Sequence, residues 1–128
     1  MLITNASTRR WTGEEFTRLA AGGFFGPEER VELIEGEIVV MSPPGPEHSD
    51  TIRFGTDFLF RHYGSTHQVL VQVPLKLSPT SEPQPDFSLI ARDAYPWGEP
   101  PVTADLVIEV SVSSLNFDRK EKGAIYAK

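Results

Sequence analysis

Residues 83–90 read Pro-Gln-Pro-Asp-Phe-Ser-Leu-Ile, and residues 104–110 read Ala-Asp-Leu-Val-Ile-Glu-Val. Both runs are rich in the apolar and β-branched residues that favour half-buried strands. A carboxylate lies among the apolar residues of each run, Asp86 in the first and Glu109 near the end of the second. Because an ionised carboxylate is costly to bury alone, such acids need a cationic side chain, backbone donors or a divalent ion. The two strands could therefore converge on one cation.

Length and composition favour a single domain. The chain has 128 residues and is 39% hydrophobic, which suits one domain over residues 1–128 whose sequence stops within its last helix. There is no cysteine, so disulfides and thiolate metal sites are excluded. Carboxylates and three histidines remain as ligands, and they favour Mg²⁺ or Mn²⁺ over structural zinc.

The formal net charge of −6 argues against a general surface for binding polyanions. It does not exclude an enzyme acting on nucleic acid, because acids gathered at a metal site also lower the net charge. No apolar run approaches the roughly 20 residues that span a bilayer. The first residues lack the basic start and long apolar run of a signal peptide, so we expect a cytoplasmic protein that does not enter a membrane.

The hydrophobic pattern predicts an α/β or α+β fold with a mixed β-sheet flanked by helices. The chain order is helix, hairpin, helix, strands and helix. The predicted elements are a helix from the Thr12 cap to Gly22, strands 31–34 and 37–41, a helix over 47–63, a strand over 68–77 interrupted at Pro74, strands 86–90 and 104–110, and a last helix capped by Asp118.

Several candidate residues also have plain structural explanations. Asp86 suits a turn or helix cap after the prolines, and Glu109 could pair with Arg119 or Lys120. Glu32 alternates with apolar residues, as on any solvated hairpin face. His48 opens a helix, where histidine often caps or faces solvent, and Lys122 belongs to a lysine-rich helix that would normally face water.

Five blocks in a fixed order resemble one family. They are the string from Arg30 to Pro44 (RVELIEGEIVVMSPP), His48, Pro83 to Asp86 (PQPD), Asp105 to Val110 (DLVIEV), and Asp118-Arg119 with Lys122 and Tyr126. Together they resemble the Uma-type family of bacterial putative restriction endonucleases, a branch of the PD-(D/E)XK nuclease superfamily. The resemblance runs from about residue 12 to the last residue.

The resemblance implies a restriction-endonuclease-like core and a metal-dependent endonuclease that hydrolyses phosphodiester bonds of nucleic acid, with DNA as the expected substrate. It implies Asp86 and Glu109 as ligands of Mg²⁺ or Mn²⁺ and Glu32 as a supporting acid. It also implies Lys122 as the catalytic lysine, with His48 in the site. Gln72 and Tyr126 are expected beside the site, and a homodimer is expected because cutting two strands requires two sites.

The chain departs from the superfamily pattern at Ser111, which occupies the usual position of the lysine two residues after Glu109. Lys122 on the next helix matches the family's substitute. Family members also continue past this helix into further strands. Two alternatives therefore stay open: a catalytically silent binding or assembly module, and a structural domain whose acids pair with Arg119 and Lys120 without a metal.

Overall fold

The computed structural model describes residues 5–43, 45–94, 98, 100–110 and 123–126. Helix α1 (Gly13–Ala21) begins at the capping box that the sequence predicts. The Thr12 hydroxyl accepts a 3.2 Å hydrogen bond from the Glu15 backbone N–H, and the Glu15 carboxylate accepts one of 3.0 Å from the Thr12 N–H. These two bonds satisfy backbone donors that a helix start otherwise leaves open.

Strands β1 (Arg30–Ile34) and β2 (Glu37–Met41) form the predicted antiparallel hairpin. Its two turn residues, Glu35 and Gly36, both have positive φ, at 48° and 83°. Two consecutive positive φ angles define the turn that matches the twist of a tight hairpin, and glycine adopts this geometry without strain.

Helix α2 (Pro46–Tyr63) is the longest element and confirms the predicted main helix. Proline is well placed in its first turn, where the missing N–H removes no helical bond. The buried side of α2 carries Leu59, and its Gly55 lies against the ring of Phe87. A Cβ at Gly55 would lie 2.6 Å from the Phe87 ring, so glycine permits the close approach of this helix to the sheet.

Strands β3 (His67–Val71), β4 (Phe87–Ala91) and β5 (Leu106–Ile108) form an antiparallel sheet in the order β3-β4-β5. A short helix α3 (Gly123–Tyr126) is the last described element. The α+β class is confirmed. The described strands form two antiparallel sheets where the sequence predicted a single mixed one.

The strand predicted over 68–77 is shorter than expected. It ends at Val71 because Gln72 has a φ of 55°, which turns the backbone out of the extended conformation. Residues 75–77 do not continue it as a ladder: the Leu75 N–H donates to Pro83 O and the Lys76 N–H to Pro101 O, each at 2.9 Å. The Asp118 cap predicted for the last helix lies outside the described residues.

The hairpin is joined to the segment that leads into β4. The Glu82 N–H donates to Leu33 O and the Gly36 N–H to Thr80 O, each at 2.7 Å. This attachment brings β1 alongside the Pro-Gln-Pro-Asp run. The apolar core lies around the junction and comprises Leu33, Ile34, Leu59, Leu75, Phe87, Leu89, Ile90 and Ile125.

Candidate active site

Asp86 lies at the centre of the candidate site, immediately before β4. It is 3% exposed, and both of its carboxylate oxygens have neighbours. Oδ2 accepts a 2.7 Å hydrogen bond from the Val110 backbone N–H, and Oδ1 lies 3.2 Å from His48 Nε2. Asp86 therefore connects the start of β4, the end of β5 and the first turn of α2.

The strand register brings Asp86 and Glu109 to the same level of the sheet. The last cross-strand pair of β4 and β5 is Phe87 with Ile108, so Asp86 and Glu109 occupy the next position of this antiparallel alignment. Residues opposite each other on antiparallel strands project to the same face. The bond from Val110 to Asp86 confirms that the two chain segments remain adjacent at this level.

Glu109 is half-buried, and it contacts the last described helix. Its Oε1 accepts a 2.7 Å hydrogen bond from the Tyr126 hydroxyl. Tyr126 is held in α3, next to Ile125, which is 5% exposed and belongs to the core. The tyrosine, which the sequence placed beside the site, therefore contacts one of the two expected metal ligands directly.

Glu32 reaches the same region from β1. It is 3% exposed, and its Oε1 accepts a 2.8 Å hydrogen bond from the Gln84 backbone N–H. Since Pro83 and Pro85 have no N–H, Gln84 supplies the only backbone donor of residues 83–85. Glu32 satisfies that donor and so fixes the segment that precedes Asp86.

His48 lies in the first turn of α2 with its side chain 13% exposed. Its Nε2 is within ion-pairing distance of Asp86 Oδ1, but the contact does not have the geometry of a hydrogen bond. Pro46 fixes the backbone at the start of α2, and the His48 side chain lies on the partly buried side of this helix. The structure thus brings together His48 and Asp86, two residues that the resemblance implies for the site.

Gln72 directly follows β3 and lies beside Asp86. Its backbone N–H donates a 3.0 Å hydrogen bond to Asp86 O, and its φ of 55° is uncommon for a residue with a side chain. Backbone strain of this kind costs roughly 1–3 kcal/mol and is often found at functional sites. Lys122, the lysine expected from the resemblance, lies outside the described residues.

A divalent cation suits the oxygen donors of this site. Mg²⁺ is commonly bound by one or two carboxylates, with water and substrate phosphate completing its coordination. Asp86 and Glu109 supply two such carboxylates. Within the described ranges, no group of three or more His, Asp or Glu side chains lies close enough to hold a metal ion. A metal here would therefore depend on water, substrate or other parts of the chain for its remaining ligands.

The sequence did not predict two backbone donors of the site, the N–H groups of Gln84 and Val110. Backbone donors have no sequence signature of their own. The flanking prolines offered a signal for Gln84, because they leave it as the only donor of its segment. Nothing in the sequence indicated the donor at Val110.

The family model of Uma2, described as putative restriction endonuclease, matches residues 13–128. The chain belongs to this family, and nuclease is the class of function that the family's description suggests. No curated protein matches the sequence. Among the described residues, no helix has the length and apolar character needed to cross a membrane.

Proposed function

We propose that this chain is a metal-dependent endonuclease that hydrolyses phosphodiester bonds in DNA, with Asp86 and Glu109 as its metal ligands. The observation that carries the proposal is the position of these two acids at the same level of adjacent strands. Membership of the nuclease-like family supports it.

The described surroundings of Asp86 contain little positive charge, and this favours a bound cation as its partner. Its described contacts are a backbone N–H and an imidazole, and no described lysine or arginine lies within ion-pairing distance of it. A carboxylate that is 3% exposed normally has a stronger positive partner. A divalent ion would supply that charge.

When bound, such an ion would polarise a phosphoryl oxygen and lower the pKa of a water molecule. The described residues support this chemistry by positioning. Glu32 fixes the segment before Asp86, His48 lies against Asp86 Oδ1, and Tyr126 holds Glu109 Oε1. We assign Lys122 the role of an ammonium that favours the deprotonated water, which attacks phosphorus as the bond to the leaving oxygen breaks.

We also propose that the active protein is a homodimer of this chain. A duplex has two backbones of opposite direction, and one site of this kind cuts one of them. A homodimer would present two equivalent sites, related by the same twofold symmetry as the duplex backbone.

Calorimetric titration of Mn²⁺ tests the ligand assignment before any substrate is known. The variants are Asp86→Asn and, as a matched control, Asp93→Asn in the exposed turn after β4. We expect Mn²⁺ binding in the wild type and in Asp93→Asn, and its loss in Asp86→Asn with the circular dichroism spectrum unchanged. Equal binding by all three proteins would overturn the assignment, as would no binding by the wild type.

Cleavage assays then separate the enzyme from a catalytically silent module. Supercoiled DNA, linear duplex DNA and RNA are incubated with Mn²⁺ and either the wild type or Asp86→Asn. Metal-dependent cutting of DNA by the wild type alone supports the proposal. Mn²⁺ binding without cleavage of any substrate would favour the silent module, for which the net charge of −6 is the supporting observation, since it opposes binding to a polyanion.

A further inference from the structure

Helix α2 presents aromatic rings to solvent on the side opposite its buried residues. Phe54 is 72% exposed and Phe58 is 45% exposed, and their rings stack with centroids 6.3 Å apart. Phe58 also stacks on His62, at 4.1 Å. Residues four apart share one face of a helix, so these side chains form a continuous aromatic row. Exposed apolar rows of this kind mark interaction surfaces.

Opposite charges flank the two phenylalanines of the row. Asp50 precedes Phe54 by four residues, and Arg61 follows Phe58 by three. Both charged side chains are strongly exposed, at 72% and 73%. Along this face, Asp50, Phe54, Phe58 and Arg61 follow one another at nearly equal spacing, with Asp57 beside Arg61.

The charges on this face match those of a second α2 helix that runs in the opposite direction. When two α2 helices lie antiparallel with Phe54 of one copy against Phe58 of the other, each Asp50 lies within one residue of the level of the other copy's Arg61. A parallel arrangement would instead place acid against acid and base against base. The antiparallel contact is isologous, which is the geometry of a twofold homodimer.

We infer that the exposed face of α2, defined by Asp50, Phe54, Phe58 and Arg61, is the docking surface for a second copy of this chain in antiparallel orientation. A nucleic acid fits this face less well, because Glu47, Asp50 and Asp57 would oppose its phosphates. The inference specifies the partner surface within the proposed function, and its test measures association, so that failure of the interface and failure of the nuclease can be told apart.

The existing ion pairs on this face do not block the contact. Arg53 pairs with Asp50 at 3.1 Å and Arg61 with Asp57 at 3.2 Å, both within α2 and both exposed. Exposed pairs contribute little free energy. The arginine and aspartate side chains can exchange these partners for the opposite copy at small cost.

Sedimentation velocity over a concentration series tests the surface. The test variant is Phe54→Ser, and the matched control is Phe24→Ser, which removes an equally exposed phenylalanine (71%) from a different region. We expect a wild-type dimer whose dissociation constant rises about tenfold or more in Phe54→Ser and stays unchanged in Phe24→Ser. A wild type that stays monomeric, or a dimer insensitive to Phe54→Ser, would overturn the inference.

Charge exchange and cross-linking test the orientation. Asp50→Arg and Arg61→Asp should each weaken the dimer, and the double variant should restore it. Because the chain has no cysteine, Phe54→Cys and Phe58→Cys can be made singly and mixed. An antiparallel contact predicts disulfides mainly between the two different variants. Disulfides formed mainly within each single variant would overturn the antiparallel arrangement.

Discussion

The Tyr126 hydroxyl donates a 2.7 Å hydrogen bond to Glu109 Oε1 and so joins α3 to the end of β5. A donor in this position restricts the orientation of the Glu109 carboxylate. In metal sites, partners of this kind tune the ligands that they contact. The bond therefore gives Tyr126 a positioning role at the proposed site.

Tyr126→Phe should weaken Mn²⁺ binding by about tenfold or more, because outer partners of metal ligands typically contribute 10–100-fold to affinity. The ring is retained, so stability should fall by only about 1 kcal/mol for the lost hydrogen bond. Calorimetric titration and thermal unfolding measure the two effects. Tyr63→Phe, on the exposed end of α2, is the control. Equal loss of Mn²⁺ affinity in both variants would contradict a specific role for Tyr126.

Glu32 allows its structural and electrostatic contributions to be separated. Glu32→Gln keeps an oxygen that can accept the Gln84 N–H but removes the charge, so we expect near wild-type stability and reduced cleavage. Glu32→Ala removes the acceptor and leaves a buried N–H unsatisfied, which should cost about 1–3 kcal/mol. Thermal unfolding of both variants, with a cleavage assay on the glutamine variant, checks this. Full cleavage activity in Glu32→Gln would show that the negative charge of Glu32 does not contribute to cleavage.

Gln72→Gly should stabilise the protein by about 1 kcal/mol, because glycine adopts a positive φ without the strain of a side chain. If the glutamine serves the site, the same change should lower Mn²⁺ affinity or cleavage. The control is Glu35→Gly, at a φ of 48° in the hairpin turn, where the expected stabilisation comes without a change in Mn²⁺ affinity. Chemical denaturation measures the stability of the two variants, and titration with Mn²⁺ measures their affinity for the metal. Unchanged stability in Gln72→Gly would contradict a strain larger than the entropy that glycine adds to the unfolded chain.

Glu15 contributes a pH-dependent part of the stability. The hydrogen bond from the Thr12 backbone N–H holds the pKa of Glu15 below its ordinary value, and Arg9 acts in the same direction. Because the pKa is lower in the folded state than in the unfolded state, this stabilisation is present above the unfolded pKa and is lost as the pH falls through the folded one.

We therefore expect Glu15→Gln to be less stable than the wild type at neutral pH, with a difference that disappears in acid. Urea unfolding at a series of pH values measures it. Glu14→Gln, in the same helical turn, controls for the loss of a negative charge near the helix N-terminus. A Glu15→Gln difference that does not vary with pH would contradict this account.

Local patterns were sufficient to predict several elements. The hairpin follows from alternating apolar residues around Glu35-Gly36, and α2 follows from apolar residues at helical spacing. The approach of Asp86 to Glu109 also follows from sequence, because two short strands joined by one loop tend to pair. These features depend on residues that are near in the chain or on simple periodicity.

Features that depend on distant contacts were not predictable. The strand expected through residue 77 ends at Val71, because Gln72 turns the backbone and Leu75 bonds to Pro83 instead of a neighbouring strand. The bonds from Gln84 to Glu32 and from Val110 to Asp86 join segments far apart in sequence, and backbone donors leave no pattern there. The described strands form two separate antiparallel sheets for the same reason, since pairing is decided by tertiary contacts.

Each acid of the site receives its hydrogen bond from a residue further along the chain. Glu32 is held by Gln84, Asp86 by Val110 and Glu109 by Tyr126. A ribosome releases the chain from its amino end, so each of these three carboxylates emerges before the donor that bonds it. The three bonds therefore become possible one after another, first at Glu32, then at Asp86 and last at Glu109, as their donors leave the exit tunnel.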